Sequence, residues 1–363
     1  MVVKIKNIIF SILLTVFCLQ ISAYADMGAI VPYNVKINED AQRAIILHNE
    51  KEEVLILGTD LHGENETKIL RFIPLPSEPE VSQVNADVFK VALALMKKYK
   101  VVFVHMYKGP GAATSAVEIR LNKSIGAHDV TVIKVNNSIH FRSWVNQFFK
   151  KKGLPQREKY PFVEQIVNNY VKRGIKYFVF DLVNVTKKTA SVAPLAYRFK
   201  SDKIYYPLIT SNSFGGGKLE LVSTQSEHGV KTKLFYKSDS EIGLIFIAPK
   251  TLFKPASHYN INFFDLPKNY KFLDLPKPVN GAKGYWSVST SAYLPKDEVK
   301  AIYPKSNEFF KNSEHLIMQF IRYSGFYNFN KDVYNNFSGT SFPITYHETH
   351  FHVRPKKRDN IVK

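Results

Sequence analysis

The chain has 363 residues, a formal charge of +19 and a single cysteine, Cys18. A chain of this length buries a core without covalent staples. Its one thiol falls in a leader that is expected to be removed, which excludes disulfides, a thiol nucleophile, cysteine metal sites and iron–sulfur clusters from the mature protein.

Lys4 and Lys6 precede a nearly unbroken apolar run from Ile8 to Ile21. Ala23 and Ala25 then place small residues at the minus-three and minus-one positions before Asp26. That order is the signature of a signal peptide over residues 1–25, so the protein is expected to be exported to the periplasm or beyond the cell. Cys18 sits inside the apolar run, and Thr15, Val16 and Phe17 before it do not form a lipid-attachment box. No later stretch approaches about 20 consecutive apolar residues, so no transmembrane segment is expected in the mature chain.

Charge is uneven along the rest. Residues 26–80 hold 11 acidic and 5 basic residues, whereas 81–363 hold 43 basic and 20 acidic. Such a field draws anionic partners, which outside the cytoplasm are phospholipid headgroups, anionic glycans or cell-wall polymers. No nucleic-acid module is present, and nucleic acid is not an expected partner.

Ala44–Leu47 and Val54–Leu57 predict a pair of strands joined by a polar connection, and Ile69–Leu75 a third, ended by Pro74, Pro76 and Pro79. Residues 86–99 change to helical spacing, with Val88, Val91, Ala92, Leu95 and Tyr99 on one face. Val101–Tyr107 returns to strand character until Gly109, Pro110 and Gly111.

Asp129–Val135 alternates as a strand. Residues 141–152 put Phe141, Trp144, Val145, Phe148 and Phe149 on one helical face and stop at three lysines and Gly153. A second helix runs from Pro161 to Lys172, Arg173 and Gly174, and Tyr177–Val185 is again a strand. Neither helix is long enough to be stable alone, so this strand–helix–helix–strand unit must pack on a sheet.

Further strands are expected at Leu195–Phe199, Lys218–Thr224, Val230–Tyr236, Gly243–Ala248, Tyr259–Phe264 and Tyr285–Ser291, with a late helix over 306–324. The fold class is α+β, mixed and strand-rich. Residues 26–210 form an α+β domain, 211–353 a β-rich region with that late helix, and 354–363 a basic tail.

Four stretches carry a family resemblance: ILRFIPLPSEPEV from Ile69, IGAHDVTVIKV from Ile125, YVKRGIKYFVFDL from Tyr170 and YRFKSDKIYYPL from Tyr197. Over roughly residues 40–210 the chain resembles an uncharacterised family of exported prokaryotic proteins, domain of unknown function 2330. The resemblance implies export and the domain boundary, and brings with it no activity, cofactor or site residue. Some members carry cysteines just after the leader, where this chain has Asp26, Met27 and Gly28.

Chemistry concentrates in few places. His347, Glu348, His350 and His352 form a dense cluster; in an extended segment His350 and His352 point one way and His347 the other. Imidazoles at this spacing suit zinc, which makes the three histidines candidate metal ligands. The order is not the helical His-Glu-x-x-His arrangement. His128 and Asp129 are candidate catalytic residues, a base and the carboxylate that orients it, although strand neighbours tend to diverge.

Ser115 and Ser124 lack a nucleophile elbow, and Gly215-Gly216-Gly217-Lys218 lacks the ending of a phosphate loop. Aromatic residues from 309 to 346, among them Phe326, Tyr327 and Phe329, suit either an interface or ordinary core packing.

These features favour a non-enzymatic, envelope-associated protein with no cofactor, binding an anionic glycan or protein of the cell surface. The alternative is a zinc-dependent hydrolase built on the C-terminal histidines.

Overall fold

Short runs of branched and aromatic residues make strands the dominant element. The computed structural model describes residues 28–32, 37–101, 103, 128–212, 219–226, 229–238, 241–253, 273–280, 284–313 and 315–336. The first strands are β1 (Gly28–Ile30), β2 (Ile37–His48), β3 (Glu52–Gly63), β4 (Thr67–Leu75) and β5 (Glu80–Gln83), followed by helix α1 (Val88–Lys98). The predicted strand–helix–helix–strand unit is β6 (Asp129–Lys134), α2 (Phe141–Lys151), α3 (Pro161–Lys172) and β7 (Tyr177–Val185).

Next come β8 (Ala190–Ser191), β9 (Leu195–Lys200), β10 (Lys203–Tyr206), the one-turn α4 (Leu208–Ser211), β11 (Leu219–Ser226), β12 (Gly229–Ser238) and β13 (Glu241–Ala248). The last are β14 (Gly284–Val288), β15 (Ala292–Leu294), α5 (Ser306–Phe309), β16 (Leu316–Gly325) and β17 (Val333–Asn336). The fold is α+β and strand-rich, as the sequence pattern predicts.

Two large sheets organise these strands among the described residues. One has the order β1-β4-β7-β6 and is antiparallel throughout. The other runs β14-β16-β13-β2-β3-β9-β5, with β15 on β16 and β8 on β3. Its β13–β2 pair is parallel. Since β13 pairs with β2, and β10 with β17, strands from both sides of residue 210 share sheets.

Helices α2 and α3 cover the four-stranded sheet. Trp144 and Phe141 of α2 meet Phe180 of β7 at ring-centroid distances of 4.4 and 6.0 Å, and Tyr170 of α3 meets Phe178 at 6.5 Å. Both helices end as expected. Gly153 and Gly174 take φ of +68° and +83°. Their N–H groups, and those of Leu154 and Ile175 after them, bond back to Lys150, Val171, Phe149 and Tyr170 carbonyls, which satisfies the last turn.

The side of the four-stranded sheet away from the helices meets the nine-stranded sheet, where Arg71 of β4 reaches Thr59 of β3. Alternation along the nine-stranded sheet divides its side chains between two clusters. Ala44, Ile46, Leu55 and Leu57 join the core shared with the four-stranded sheet. Ile45, Leu47, Val54 and Ile56 pack against Val88, Phe89, Ala92 and Leu95 of α1.

The late helix predicted over 306–324 is corrected by the structure. Only Ser306–Phe309 is helical, and Leu316–Gly325 is a strand lying between β13 on one side and β14 and β15 on the other. Nine of its ten residues are buried. A strand covered on both faces reads as a continuous apolar run, and such a run contains the i, i+3, i+4 spacing by accident. The late aromatic residues are mostly core. Tyr323 contacts Trp286 and Phe329 at 5.1 and 5.0 Å, Tyr327 and Phe329 are buried, and Phe326 is exposed.

Candidate functional site

An arginine or aspartate in the middle of a buried strand must find a partner, because desolvating a lone charge is expensive. β4 and β7 place Arg71 and Asp181 directly opposite one another. Arg71 Nη2 donates to Asp181 Oδ2 at 2.6 Å, and its Nη1 lies 3.4 Å from Thr59 Oγ1 on the neighbouring sheet. His128, just ahead of β6, brings Nδ1 to 2.8 Å from the same Asp181 oxygen. Burial pushes the Asp181 carboxyl up, but Arg71 and His128 together outweigh it and hold the group below its ordinary value.

Asp181, rather than Asp129, therefore orients His128. Asp129 points the other way and its carboxylate pairs with Lys152 beyond α2. With Nδ1 facing a carboxylate, His128 Nε2 is the far end of the ring; it is buried and has no hydrogen-bond partner among the described residues. Among the described residues the network supplies a positioned imidazole, and its one hydroxyl, Thr59 Oγ1, is the group Arg71 approaches. Arg71 and Asp181 are legible in the sequence as single charges inside apolar strand runs, Ile69–Leu75 and Tyr177–Val185.

A second arrangement opens at the surface around the β2–β3 turn. Asn49 caps that turn, its Oδ1 accepting from the Lys51 and Glu52 N–H groups at 3.0 and 2.8 Å, while Glu50 adopts φ +76°. Asn49 Nδ2 donates to Phe309 O at 2.8 Å, tying the turn to α5. Between them lies a cleft of about 460 Å³ lined by Asn49, Lys51, Glu52, Arg198, Lys200, Glu308, Phe309, Lys311, Asn312 and Ser313. Arg198 spends its charge on Glu52 at 2.8 Å and stacks over the Phe309 ring. Lys51, Lys200 and Lys311 are exposed and make no ion pair among the described residues, leaving Glu308 as the one carboxylate set against three ammonium groups.

Two buried titratable groups hold the base of this turn. His48 Nδ1 accepts from the Glu50 N–H at 2.9 Å, so its Nε2 bears the proton and donates to Lys203 O at 3.0 Å. Burial lowers His48 to about 4 and keeps it neutral. Glu53 Oε2 accepts from the Tyr205 N–H at 2.8 Å, its Oε1 has no partner among the described residues, and burial raises its pKa well above its ordinary value. Nothing in the sequence pattern marks the cleft, because its lysines come from three separate stretches.

His347, His350 and His352, with Glu348, lie outside the described residues, as do Ser115, Ser124 and Gly215–Gly217. Among the described residues no three His, Cys, Asp or Glu side chains gather as a metal site. No described helix is long and apolar enough to cross a membrane.

A family model described as an uncharacterized protein conserved in bacteria, DUF2330, matches residues 22–219. No curated protein matches the chain. Among solved structures, the crystal structure of baculovirus P35 shares 10% identity at a TM-score of 0.38, covering 84% of this chain and 98% of that one. A mutated baculovirus P35 after caspase cleavage gives 10% identity and a TM-score of 0.28, over 82% and 99%. Likeness at this level bears on neither fold nor function.

Proposed function

The chain belongs to the DUF2330 family of uncharacterized bacterial proteins, and on that premise we propose that it is an exported, envelope-associated binding protein rather than an enzyme. Its ligand is an anionic component of the cell surface, taken in the cleft at the β2–β3 turn. One observation carries the reading: Lys51, Lys200 and Lys311 surround a cleft of about 460 Å³ without an ion pair among the described residues. Ammonium groups from separate elements, held around one concavity and not compensated, form a local positive field that raises anion affinity.

The cleft has the volume of a small-molecule site, which favours a glycan segment over a folded protein as the occupant. The leader and the basic excess support an extracytoplasmic anion as its source. The experiment is calorimetric titration with an oligouronate at two salt concentrations. Saturable binding is expected, weakened by salt and reduced at least about tenfold in a Lys51→Glu/Lys200→Glu/Lys311→Glu variant. Binding unchanged in that variant, or no binding at low salt, contradicts the proposal.

The alternative hydrolase rests on the spacing of His347, His350 and His352 alone. It requires zinc to be retained through purification without a histidine tag, and metal analysis decides it.

A further inference from the structure

A helix pair on the outside of a sheet normally keeps its apolar residues inward and its outer face polar. In the α2–α3 pair two large side chains break that rule. Ile139, in the turn leading into α2, and Phe162, in the first turn of α3, are 76% and 75% exposed. The other exposed large hydrophobics among the described residues, Val132, Tyr285 and Phe326, reach only 39–42%.

The pair is an antiparallel hairpin. Ser138 Oγ donates to Asn168 Oδ1 at 2.9 Å, Arg142 forks onto Glu164 at 2.7 and 2.6 Å, and Asn146 Nδ2 donates to Arg157 O at 2.9 Å. Ile139 therefore lies level with the C-terminal half of α3 and Phe162 level with the middle of α2, with Lys172 further along at the α3 C-terminus and Lys150 and Lys151 further along at the α2 C-terminus. Helical spacing places neutral Ser143, Gln147, Gln165 and Asn169 between the two ends.

Charge on this unit is one-sided. Residues 134–176 contain many more basic than acidic residues, and one of the acids, Glu164, is held by Arg142. Lys152 and Arg173 pair with Asp129 and Asp332, but Lys150, Lys151, Lys159 and Lys172 have no ion pair among the described residues. Lysines at helix C-termini are favoured by the helix dipole, which accounts for part of the charge. It does not account for an isoleucine and a phenylalanine standing in water on the same unit.

We infer that the outer face of the α2–α3 pair docks on an anionic lipid bilayer. Phe162 and Ile139 enter the boundary between headgroups and acyl chains, and the lysines at either end meet lipid phosphates. Two projecting side chains in a polar surround are too little apolar area for a stable protein interface, which needs about 800 Å² per partner. They suit a surface that binds through shallow insertion and charge. This face is independent of the cleft, which lies at the β2–β3 turn and draws no residue from either helix.

The test uses the chain without residues 1–25, the expected leader, and vesicles of phosphatidylcholine with or without phosphatidylglycerol. In a Phe162→Trp variant, the emission in excess of the wild type's, which comes from Trp144 and Trp286, is expected to shift to the blue only with phosphatidylglycerol vesicles, and that difference is a readout local to this face. Lys150→Glu/Lys151→Glu is expected to weaken partitioning about tenfold or more, and Ile139→Ser/Phe162→Ser by a similar factor, while high salt weakens the wild type. Substitutions at sites this exposed leave folding intact.

Emission that stays unchanged on anionic vesicles overturns the inference. So does partitioning that Lys51→Glu/Lys200→Glu/Lys311→Glu abolishes and the helix variants do not. Self-association abolished by Ile139→Ser/Phe162→Ser, without vesicle binding, assigns the face to a second copy and overturns it as well.

Discussion

Glu53 and His48 stand side by side at the base of the β2–β3 turn and respond to pH with opposite sign. His48 is held at about 4 in the folded chain by burial, against an ordinary 6.5. Unfolded chains take up that proton first, so this residue costs stability as pH falls from 6.5 toward 4, on the order of 3 kcal/mol in full. Glu53 is raised by burial, so its stabilising contribution is complete below 4.5 and is lost as pH rises from there toward its folded value. Denaturant melts of Glu53→Gln against wild type, taken from about pH 5 to pH 8, check this directly. The variant is expected to gain stability relative to wild type as pH rises, and a constant difference would mean that Glu53 titrates normally. Neither residue is readable from the sequence, since His48 and Glu53 look like ends of a polar connection until the strands are seen to run through them. Asp181 shows the same limit. His128 is a candidate from its chemistry, but its partner lies 53 residues away, and only the β6–β7 pairing brings them together.

At the scale of elements, local stop signals make the helix pair legible. Lys150, Lys151, Lys152 and Gly153, and then Lys172, Arg173 and Gly174, mark both C-termini where the structure ends them. The two glycines have left-handed φ, and a Cβ added at either would meet no atom within 4 Å. The cost of a side chain there is thus conformational and not steric. Gly174→Ala is expected to destabilise the chain by about 1 kcal/mol, measured as a shift in denaturant midpoint at constant m. A loss several times larger would show that Gly174 is packed rather than merely left-handed. β16 is illegible for the complementary reason. Its apolar residues face both ways, so Leu316, Ile317, Phe320 and Ile321 fit a helical stripe as well as a strand, and only the sheet around them decides.

For the whole molecule, the alternating strand patterns make the sheet-rich class visible but not its assembly. The parallel pairing of β13 with β2 and the junction of β10 with β17 join residues about 200 and 130 positions apart. The same long-range assembly makes the cleft, drawing Lys51, Lys200 and Lys311 from three parts of the chain. The basic excess is visible in the sequence, but the fold alone gathers these three cations around one concavity. The two proposals draw on separate parts of that excess, the helix face for a surface and the cleft for a ligand.

The proposal that the cleft takes an anionic glycan is tested directly by hydrogen–deuterium exchange with and without an oligouronate. Protection is predicted at the β2–β3 turn around residues 49–52, at the end of β9 around residues 198–200, and across residues 308–313. Protection confined to other segments, or none at saturating ligand, would contradict the assignment of the cleft.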